Sequence, residues 1–454
     1  MLQSINPVND ELIQSYEEYP QEQVYEIIES SHKAYLKYSL SSYEERAAKM
    51  KKVSVILREG KEEFAKLMTL EMGKTISQSR AEVEKCAWVC DYYADNAKDF
   101  LKDEIVETDA SKSYVTYNPI GLVLAVMPWN FPFWQVFRFA APNLMAGNGG
   151  ILKHASNVSG CALAIENIFN EAGFEKDLFR TILVSSKNMK SVIENERIKA
   201  VTLTGSTPAG KSIASTAGNV LKKTVLELGG SDPYIILRDA DIEQSVKACV
   251  TARLINAGQS CIAGKRFIVE KEIAEEFTQR FLEELSSKKM GDPFDESNDL
   301  GPQAKSELRE ELHQQVEKSV ALGAKILLGG IIPEGRGAFY PPTLLVNVKK
   351  GMPAFDEELF GPVAPVIIAE DEEDAINIAN DTVFGLGAAV FSKDVAHAEF
   401  IAKNRIKAGS CFVNTFVKSD PRLPFGGINE SGYGRELSPF GIKEFVNIKT
   451  IFIK

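Results

Sequence analysis

The chain has 454 residues, of which 44% are hydrophobic and 25% charged, and its formal net charge is -11. The length predicts more than one domain and the composition is that of a soluble globular protein, while the negative charge argues against nucleic acid or an anionic membrane as a general partner. Six irregularly spaced cysteines and the lack of a secretory signal favour the cytoplasm, and no apolar stretch reaches transmembrane length. Four histidines and no Cys-x-x-Cys pair argue against a metal site.

The N-terminal part of the chain is predicted to be helical, because apolar residues recur every three or four positions among Glu and Lys. The two predicted helices cover residues 21–72 and 74–101. Cys86 and Cys90 lie four residues apart on one face of the second helix, which is typical of core packing.

From about residue 119, short apolar strands alternate with helices, an order typical of a parallel sheet with helices on both faces. The first series has predicted strands at 121–127, 150–153, 180–184, 200–204 and 224–228, and helices at 134–145, 160–172, 188–195 and 208–217. The second has strands at 234–237, 266–269, 325–328, 363–368, 388–391 and 410–413, and helices at 242–256, 273–288, 305–322, 372–380 and 395–403. The predicted fold class is therefore α/β, with two doubly wound domains that meet close to Glu227.

Cys261 is the first candidate for a reactive side chain. It ends the run 256–261 (NAGQSC), whose small and polar residues leave room for a substrate. A thiol attacks carbonyl carbons, and a carboxylate such as Glu227 in the run 226–230 (LELGG) can activate the water that releases the product. The alternative for any single cysteine is a small buried apolar residue, which we expect the other five to be.

A strand, a glycine turn and a helix start follow one another in residues 200–210 (AVTLTGSTPAG). Gly205 lets backbone amides approach a phosphate, and Ser206 either caps the helix or bonds a phosphate oxygen. Because the pattern is not G-x-G-x-x-G, a connection without a ligand remains the alternative. Lys153 ends another predicted strand and is expected to face a ligand at the same edge.

Asn130 lies in residues 127–132 (MPWNFP), where two prolines end a strand. Its amide either satisfies the backbone of a buried turn or donates to a developing alkoxide. The second role contributes on the order of 3 kcal/mol to transition-state stabilisation.

Six motifs occur in order along the chain. They are residues 128–132 (PWNFP), 205–210, 226–230, 258–261 (GQSC), 358–362 (ELFGP) and 424–427 (PFGG). Together they resemble the NAD(P)-dependent aldehyde dehydrogenase superfamily over essentially the whole chain. Within it the chain is most similar to bacterial succinate-semialdehyde dehydrogenases, through residues 134–138 (WQVFR), 152–155 (LKHA) and 434–438 (GRELS).

The resemblance implies a Rossmann-like cofactor-binding domain of residues 1–101 and 119–228 and a catalytic domain of residues 229–430. It also implies a small β oligomerisation flap from residues 102–118 and 440–454. Family members generally form homodimers or homotetramers through such a flap, and the short β segments at 113–118 and 448–453 suit that use.

The resemblance also implies roles for individual residues. Cys261 would be the nucleophile, Glu227 the base for the deacylating water, and the Asn130 amide with the Cys261 N–H the oxyanion hole. Contacts with NAD or NADP are implied for Trp129, Lys153, Gly205, Ser206, Glu358 and Phe360. Glu436 matches a position sometimes proposed to relay protons. The implied reaction is oxidation of a small aldehyde through a thiohemiacetal and a thioester, without a metal.

Ser156 bears on the choice of cofactor. Family members that strongly prefer NAD often carry a glutamate at this position, three residues after Lys153. A neutral hydroxyl does not repel a 2′-phosphate, and Lys153 can pair with that phosphate. We therefore expect NADP to be accepted, and NAD as well.

Arg138 and Ser419 are the candidates for substrate recognition. Arg138 follows Asn130 by eight residues and can clamp the distal carboxylate of succinic semialdehyde, its alternative being a salt bridge on a helix surface. Ser419 matches a substrate-binding serine of the semialdehyde enzymes. Aromatic side chains equally suit an apolar aldehyde; these are Phe131, Phe133, Trp134, Phe137 and Phe416.

One departure from the family pattern concerns a second substrate arginine, which some similar enzymes carry six residues before the nucleophile. Ile255 stands there. Arg253 cannot be assumed to replace it, and Arg422 and Lys418 are the candidate substitutes.

Two other functions are weighed against aldehyde oxidation. A CoA-acylating dehydrogenase generally lacks a glutamate at the position of Glu227, so its presence argues against that activity. A binding protein that keeps the fold without turnover would have lost Cys261, Glu227 or Asn130, and all three are present.

Overall fold

The computed structural model describes all 454 residues. The first part of the chain forms a hairpin, four helices and two further strands. These are β1 (Leu2–Asn6), β2 (Glu11–Tyr16), α1 (Gln21–Tyr38), α2 (Tyr43–Glu59), α3 (Lys61–Met72), α4 (Ile76–Phe100), β3 (Glu104–Ile105) and β4 (Lys112–Pro119).

The prediction of one helix over residues 21–72 is wrong, because the segment folds as three helices. Ser42 begins α2 with a capping box, in which its side chain accepts from the Glu45 N–H and the Glu45 side chain accepts from the Ser42 N–H. Gly60 then separates α2 from α3. The helix at residues 74–101 is confirmed as α4, with Cys86 and Cys90 fully buried on one face.

The first α/β series forms a sheet of parallel strands in the order β9-β8-β5-β6-β7. Its elements are β5 (Leu122–Met127), α5 (Trp134–Met145), β6 (Gly149–His154), α6 (Ser159–Glu171), β7 (Phe179–Thr181), α7 (Met189–Glu194), β8 (Ile198–Thr204), α8 (Thr207–Asn219) and β9 (Lys223–Glu227). All nine were predicted, although β7 ends three residues earlier than the predicted 180–184.

The second series forms a seven-stranded sheet in the order β12-β13-β14-β11-β10-β15-β16, parallel except for the edge strand β12, which pairs antiparallel with β13. Its elements are β10 (Asp232–Ile236), α9 (Ile242–Leu254), β11 (Gly264–Glu270), α10 (Ala274–Ser286), α11 (Ser306–Ala321), β12 (Lys325–Leu328), β13 (Thr343–Val346), α12 (Pro353–Asp356), β14 (Val363–Ala369), α13 (Glu372–Asn380), β15 (Gly387–Phe391), α14 (Val395–Asn404) and β16 (Ser410–Val413). Only β13 and α12 were not predicted.

The C-terminal part adds β17 (Gly432–Tyr433), α15 (Ser438–Ile442) and β18 (Val446–Ile453). Strand β17 pairs antiparallel with β9 and so completes a six-stranded first sheet. Strand β18 pairs antiparallel with β4 over eight residues, and β3 joins on the other side of β4. The predicted fold class, two doubly wound sheets with a small β sheet, is confirmed.

Both faces of the second sheet are buried, as its central strand shows. Tyr234 and Ile236 of β10 pack in one apolar cluster, and Ile235 between them packs in another on the opposite face. The largest apolar cluster lies between the N-terminal helices and the first sheet. No helix has both the length and the apolar character needed to cross a membrane.

The two sheets meet where the chain passes from one to the other. Strand β9 ends at Glu227 and β10 begins at Asp232, so the carboxyl edge of the first sheet adjoins the amino edge of the second. Strands β5, β6 and β8 also end at this carboxyl edge, because they run parallel to β9. The junction therefore collects the residues that follow four neighbouring strands.

Candidate active site

Cys261 follows a turn with an unusual backbone. Asn256, Ala257 and Gly258 have φ angles of 53°, 51° and 78°, which places three consecutive residues in the left-handed region. A Cβ on Gly258 would lie 2.2 Å from the carbonyl oxygen of Gly361, so only glycine fits there. Backbone strain of this kind is maintained by surrounding contacts and is common at functional sites.

Hydrogen bonds connect this turn to Asn130. The Nδ2 of Asn256 donates to the Asn130 carbonyl at 2.7 Å, and the Nδ2 of Asn130 donates to the Gln259 carbonyl at 3.1 Å. Arg253 is fully buried and donates from Nη2 to the Gly258 carbonyl at 2.7 Å. Arg253 therefore supports the turn and is not directed at a substrate.

Two N–H groups beside Cys261 remain free to donate. The Asn130 side-chain nitrogen carries two hydrogens, and its one hydrogen bond, to Gln259, uses one of them. The backbone N–H of Cys261 has no partner within the protein. These are the two donors predicted for an oxyanion hole, and the structure brings both to the same turn.

The thiol of Cys261 is half-buried and lines a cavity. Burial raises its pKa to about 12, against the opposing effect of the positive charges of Lys265 and Arg138. The resting thiol is therefore protonated at neutral pH. A reaction that uses the thiolate needs a base or a change in the local charge.

Lys265 connects the nucleophile segment to a predicted cofactor residue. Its buried ammonium donates to the Cys261 carbonyl at 2.6 Å and to Glu358 Oε1 at 2.8 Å. The same carboxylate oxygen accepts from the Gly230 N–H at 3.1 Å. Glu358 is thus held beside Cys261 through one oxygen, while its Oε2 has no hydrogen bond within the protein.

Glu227 ends β9 with its side chain buried, and neither carboxylate oxygen has a hydrogen-bond partner. Burial raises the pKa of Glu227 well above its ordinary value, and the negative charge of Glu436 raises it further. A Cβ on Gly426 would lie 2.7 Å from Glu227 Oε1, so a glycine here leaves space for the carboxylate.

Arg138 lies on α5 and is only 1% exposed, so the alternative of a surface salt bridge is wrong. Its guanidinium forms an ion pair with Glu436, donates to Thr204 Oγ1 at 3.3 Å and lies 4.6 Å from the centre of the Phe425 ring. Arg138 lines the cavity with its charge already paired.

The predicted cofactor residues follow the carboxyl ends of the first sheet. Ser206 is the N-cap residue of α8, but its side chain makes no capping bond and is exposed. Lys153 has a pKa lowered by burial and forms no ion pair, and Ser156 begins the short 3-10 turn after β6. The rings of Trp129 and Phe360 pack edge to face, 5.8 Å between their centres.

The cavity beside Cys261 has a volume of about 170 Å³ and opens to solvent. Of the five aromatic residues considered for its wall, Phe131 and Trp134 line it. Phe133 and Phe137 are instead fully buried in the core, and Phe416 packs against the second sheet. Ile255, Ile262 and Val417 complete an apolar wall, while Gln78, Lys85 and Ser419 are polar.

The sequence profile of the Aldehyde dehydrogenase family matches residues 1–451. The chain belongs to this family. It is 49% identical over 450 residues to the probable succinate-semialdehyde dehydrogenase (NADP(+)) of Synechocystis sp., with 99% of each chain covered. It is 50% identical over 407 residues to the succinate semialdehyde dehydrogenase (NAD(P)+) Sad of Escherichia coli, covering 90% of this chain and 88% of that one.

A solved aldehyde dehydrogenase has the same fold. The succinic semialdehyde dehydrogenase from Streptococcus pyogenes, in complex with NADP+ as the cofactor, superimposes with a TM-score of 0.97 at 38% identity and full coverage of both chains. The resemblance to the aldehyde dehydrogenase superfamily, drawn from six motifs, is confirmed.

Two lysines of this aldehyde dehydrogenase, the buried Lys265 and the half-buried Lys85, were missed from the sequence. Lys265 follows Cys261 by four residues, and its place at the start of β11 was the available signal. Lys85 lies on α4, more than 170 residues before Cys261, and only its position on the helix near the buried Glu82 and Cys86 indicated an inward-facing side chain.

Proposed function

We propose that the protein oxidises succinic semialdehyde to succinate with NADP or NAD as the cofactor, through a thioester on Cys261. The observation that carries the proposal is the junction of the two sheets. Here Cys261 lines a cavity, Asn130 is hydrogen-bonded to the turn before Cys261, and Glu227 ends β9 close enough for its charge to act on the Cys261 thiol. Membership of the aldehyde dehydrogenase family supports the oxidation of an aldehyde.

Each of the three residues has a separate role in the reaction. After its thiol has lost the proton to a base, the Cys261 thiolate forms a bond to the aldehyde carbon, and the oxyanion that results accepts hydrogen bonds from the Asn130 amide and the Cys261 N–H. Glu227, whose raised pKa makes its carboxylate a stronger base once it is ionised, takes a proton from the water that hydrolyses the thioester to the acid and the free thiol. A bound nicotinamide cofactor supplies the acceptor for the hydride that leaves the thiohemiacetal carbon.

The carboxyl edge of the first sheet suits a dinucleotide. The uncapped N-terminus of α8 and the free hydroxyl of Ser206 favour a pyrophosphate, and the unpaired Lys153 favours ribose hydroxyls or a 2′-phosphate. Ser156 places no negative charge there. Use of NADP and NAD agrees with the names of the relatives from Synechocystis sp. and Escherichia coli.

The substrate assignment is supported by the same two relatives and by the cavity. Its apolar wall suits the two methylenes of succinic semialdehyde, and Arg138 and Ser419 lie among its polar residues. A CoA-acylating reaction has no use for a buried carboxylate beside the thioester, so Glu227 favours hydrolysis by water.

We further propose that the protein assembles as a homodimer or homotetramer through the sheet of β3, β4 and β18. Ile448 and Phe452 of β18 lie on one face and are 62% and 53% exposed, and Ile105 of β3 is 69% exposed. Large apolar side chains gathered on an edge strand mark an interaction surface.

The test compares kcat/KM for succinic semialdehyde with that for pentanal, an uncharged aldehyde of similar length, each with NAD and with NADP. We expect a strong preference for the semialdehyde, release of succinate without added CoA, and no turnover by Cys261→Ala. Equal or better use of pentanal would contradict the substrate assignment. A requirement for CoA would contradict hydrolysis.

A further inference from the structure

One face of α4 forms part of the cavity wall opposite the sheets. Gln78, Ala81, Glu82 and Lys85 follow one another at intervals of three, one and three residues, so that all four share a face, and all four line the cavity. The Gln78 side chain also accepts from the Asn256 N–H at 2.7 Å, which fixes this face against the turn before Cys261.

Lys85 extends into the cavity as a cation. Its ammonium donates to Ser419 Oγ at 2.7 Å and lies 4.3 Å from the centre of the Trp134 ring. It forms no ion pair, and burial lowers its pKa to about 8. A lysine partly withdrawn from water without a carboxylate partner is unfavourable by itself, so the site favours an anion.

The other charges around Lys85 are already paired. Glu82 on the same helix pairs with Lys74 and accepts from the N–H groups of Phe133 and Trp134, each at 2.9 Å. Across the cavity Arg138 pairs with Glu436.

In the loop after Ser419, Asp420 pairs with Arg422 at 2.7 Å. Cys86 next to Lys85 has a pKa raised by burial, so it stays neutral, and Lys418 at the cavity rim is exposed. Lys85 is therefore the half-buried cation of the cavity that has no carboxylate partner.

The two substitutes considered for the arginine that Ile255 replaces are poorly placed for that role. Arg422 is occupied by Asp420, and the exposed Lys418 is screened by solvent. We propose that Lys85, with Ser419, is the carboxylate-binding group of the cavity and receives the distal carboxylate of the aldehyde substrate. This inference rests on the proposed function and names the residue that selects its substrate class.

The first test measures kcat/KM for succinic semialdehyde and pentanal in Lys85→Met, Lys85→Arg and Lys98→Met. Lys98 is the matched control, because it lies on the same helix and is exposed with one ion pair to Glu44. The ratio of kcat/KM for succinic semialdehyde to kcat/KM for pentanal should fall about 10- to 100-fold in Lys85→Met, mainly because KM for the semialdehyde rises. In Lys85→Arg, which keeps the positive charge, this ratio should stay higher than in Lys85→Met. Lys98→Met should leave the ratio unchanged.

A second test needs no variant, so it stands even if Lys85→Met fails to fold. In the wild type the ratio should fall as the pH rises through about 8, because Lys85 loses its charge while the thiol chemistry is common to both aldehydes. A ratio that is flat across this range and unchanged in Lys85→Met overturns the inference but leaves the proposed function intact. A wild type with no preference for the semialdehyde overturns both.

Discussion

Arg138 of α5 and Glu436, which follows β17, form a buried ion pair beside the catalytic carboxylate proposed for Glu227. The two partners act on Glu227 in opposite directions. The negative charge of Glu436 raises the pKa of Glu227 and the positive charge of Arg138 lowers it. The two charges of the pair therefore determine the electrostatic environment of Glu227. Arg138 of the same pair also forms part of one wall of the substrate cavity.

Breaking this pair should destabilise the protein. Arg138→Met leaves Glu436 buried without a partner, which costs about 3–5 kcal/mol. The double variant Arg138→Met/Glu436→Gln should recover most of that loss, because it removes both charges. Midpoints of thermal unfolding measure both effects. A double variant less stable than the single one would contradict this prediction and show that Glu436 makes favourable contacts independent of Arg138.

Glu227→Gln should separate the two halves of the reaction. The amide cannot take a proton from water, so steady-state turnover should fall about 100-fold while the first turnover of NADPH formation persists as a burst. Stopped-flow absorbance of NADPH follows both phases. Glu430→Gln is the control, because Glu430 is a surface residue paired with Lys211. Loss of the burst itself would assign Glu227 to an earlier step.

The cofactor-free protein should react slowly with iodoacetamide at Cys261. Because burial raises the pKa of this thiol to about 12, the thiolate fraction grows with each unit of pH below that value. The alkylation rate should therefore rise about 100-fold between pH 7 and pH 9. Mass spectrometry of the Cys261 peptide measures the rate. A plateau below pH 9 would contradict the raised pKa.

Ser156→Glu should weaken NADP selectively. A carboxylate at the start of the turn after β6 repels a 2′-phosphate, and the expected increase in KM for NADP is about tenfold or more, with a smaller change for NAD. Ser156→Gln, of similar size but neutral, is the matched control. Equal effects of both substitutions on the two cofactors would mean that Ser156 does not face the adenosine ribose.

The assembly should depend on the outer face of β18. Ile448→Asp/Phe452→Asp places two charges on the exposed apolar strand and should give a smaller species by light scattering after gel filtration. Val395→Asp is the control, because Val395 is a similarly exposed apolar residue at the start of α14. An unchanged mass would contradict an interface at β18.

The alternation of strands and helices was largely predictable, because each element carries its own apolar period. Strand β17 was not predictable, because a strand of two residues is too short to show an apolar period. It forms only because β9 lies beside it and pairs with it. In the same way, Cys261, Glu227 and Asn130 were each identified as candidate site residues from a separate motif. The contact of Lys85 with Ser419 joins residues 334 positions apart, and local sequence contains no signal for such a pair.

Strand β17 also has a consequence for synthesis of the chain. Its partner β9 ends at Glu227, yet Gly432 and Tyr433 are made only after the whole second sheet. On the ribosome, β9 therefore stays an open edge, with Glu227 uncovered, until residues 432–433 have emerged. The first sheet cannot close early, so a truncated nascent chain exposes a strand edge that is free to pair with other chains.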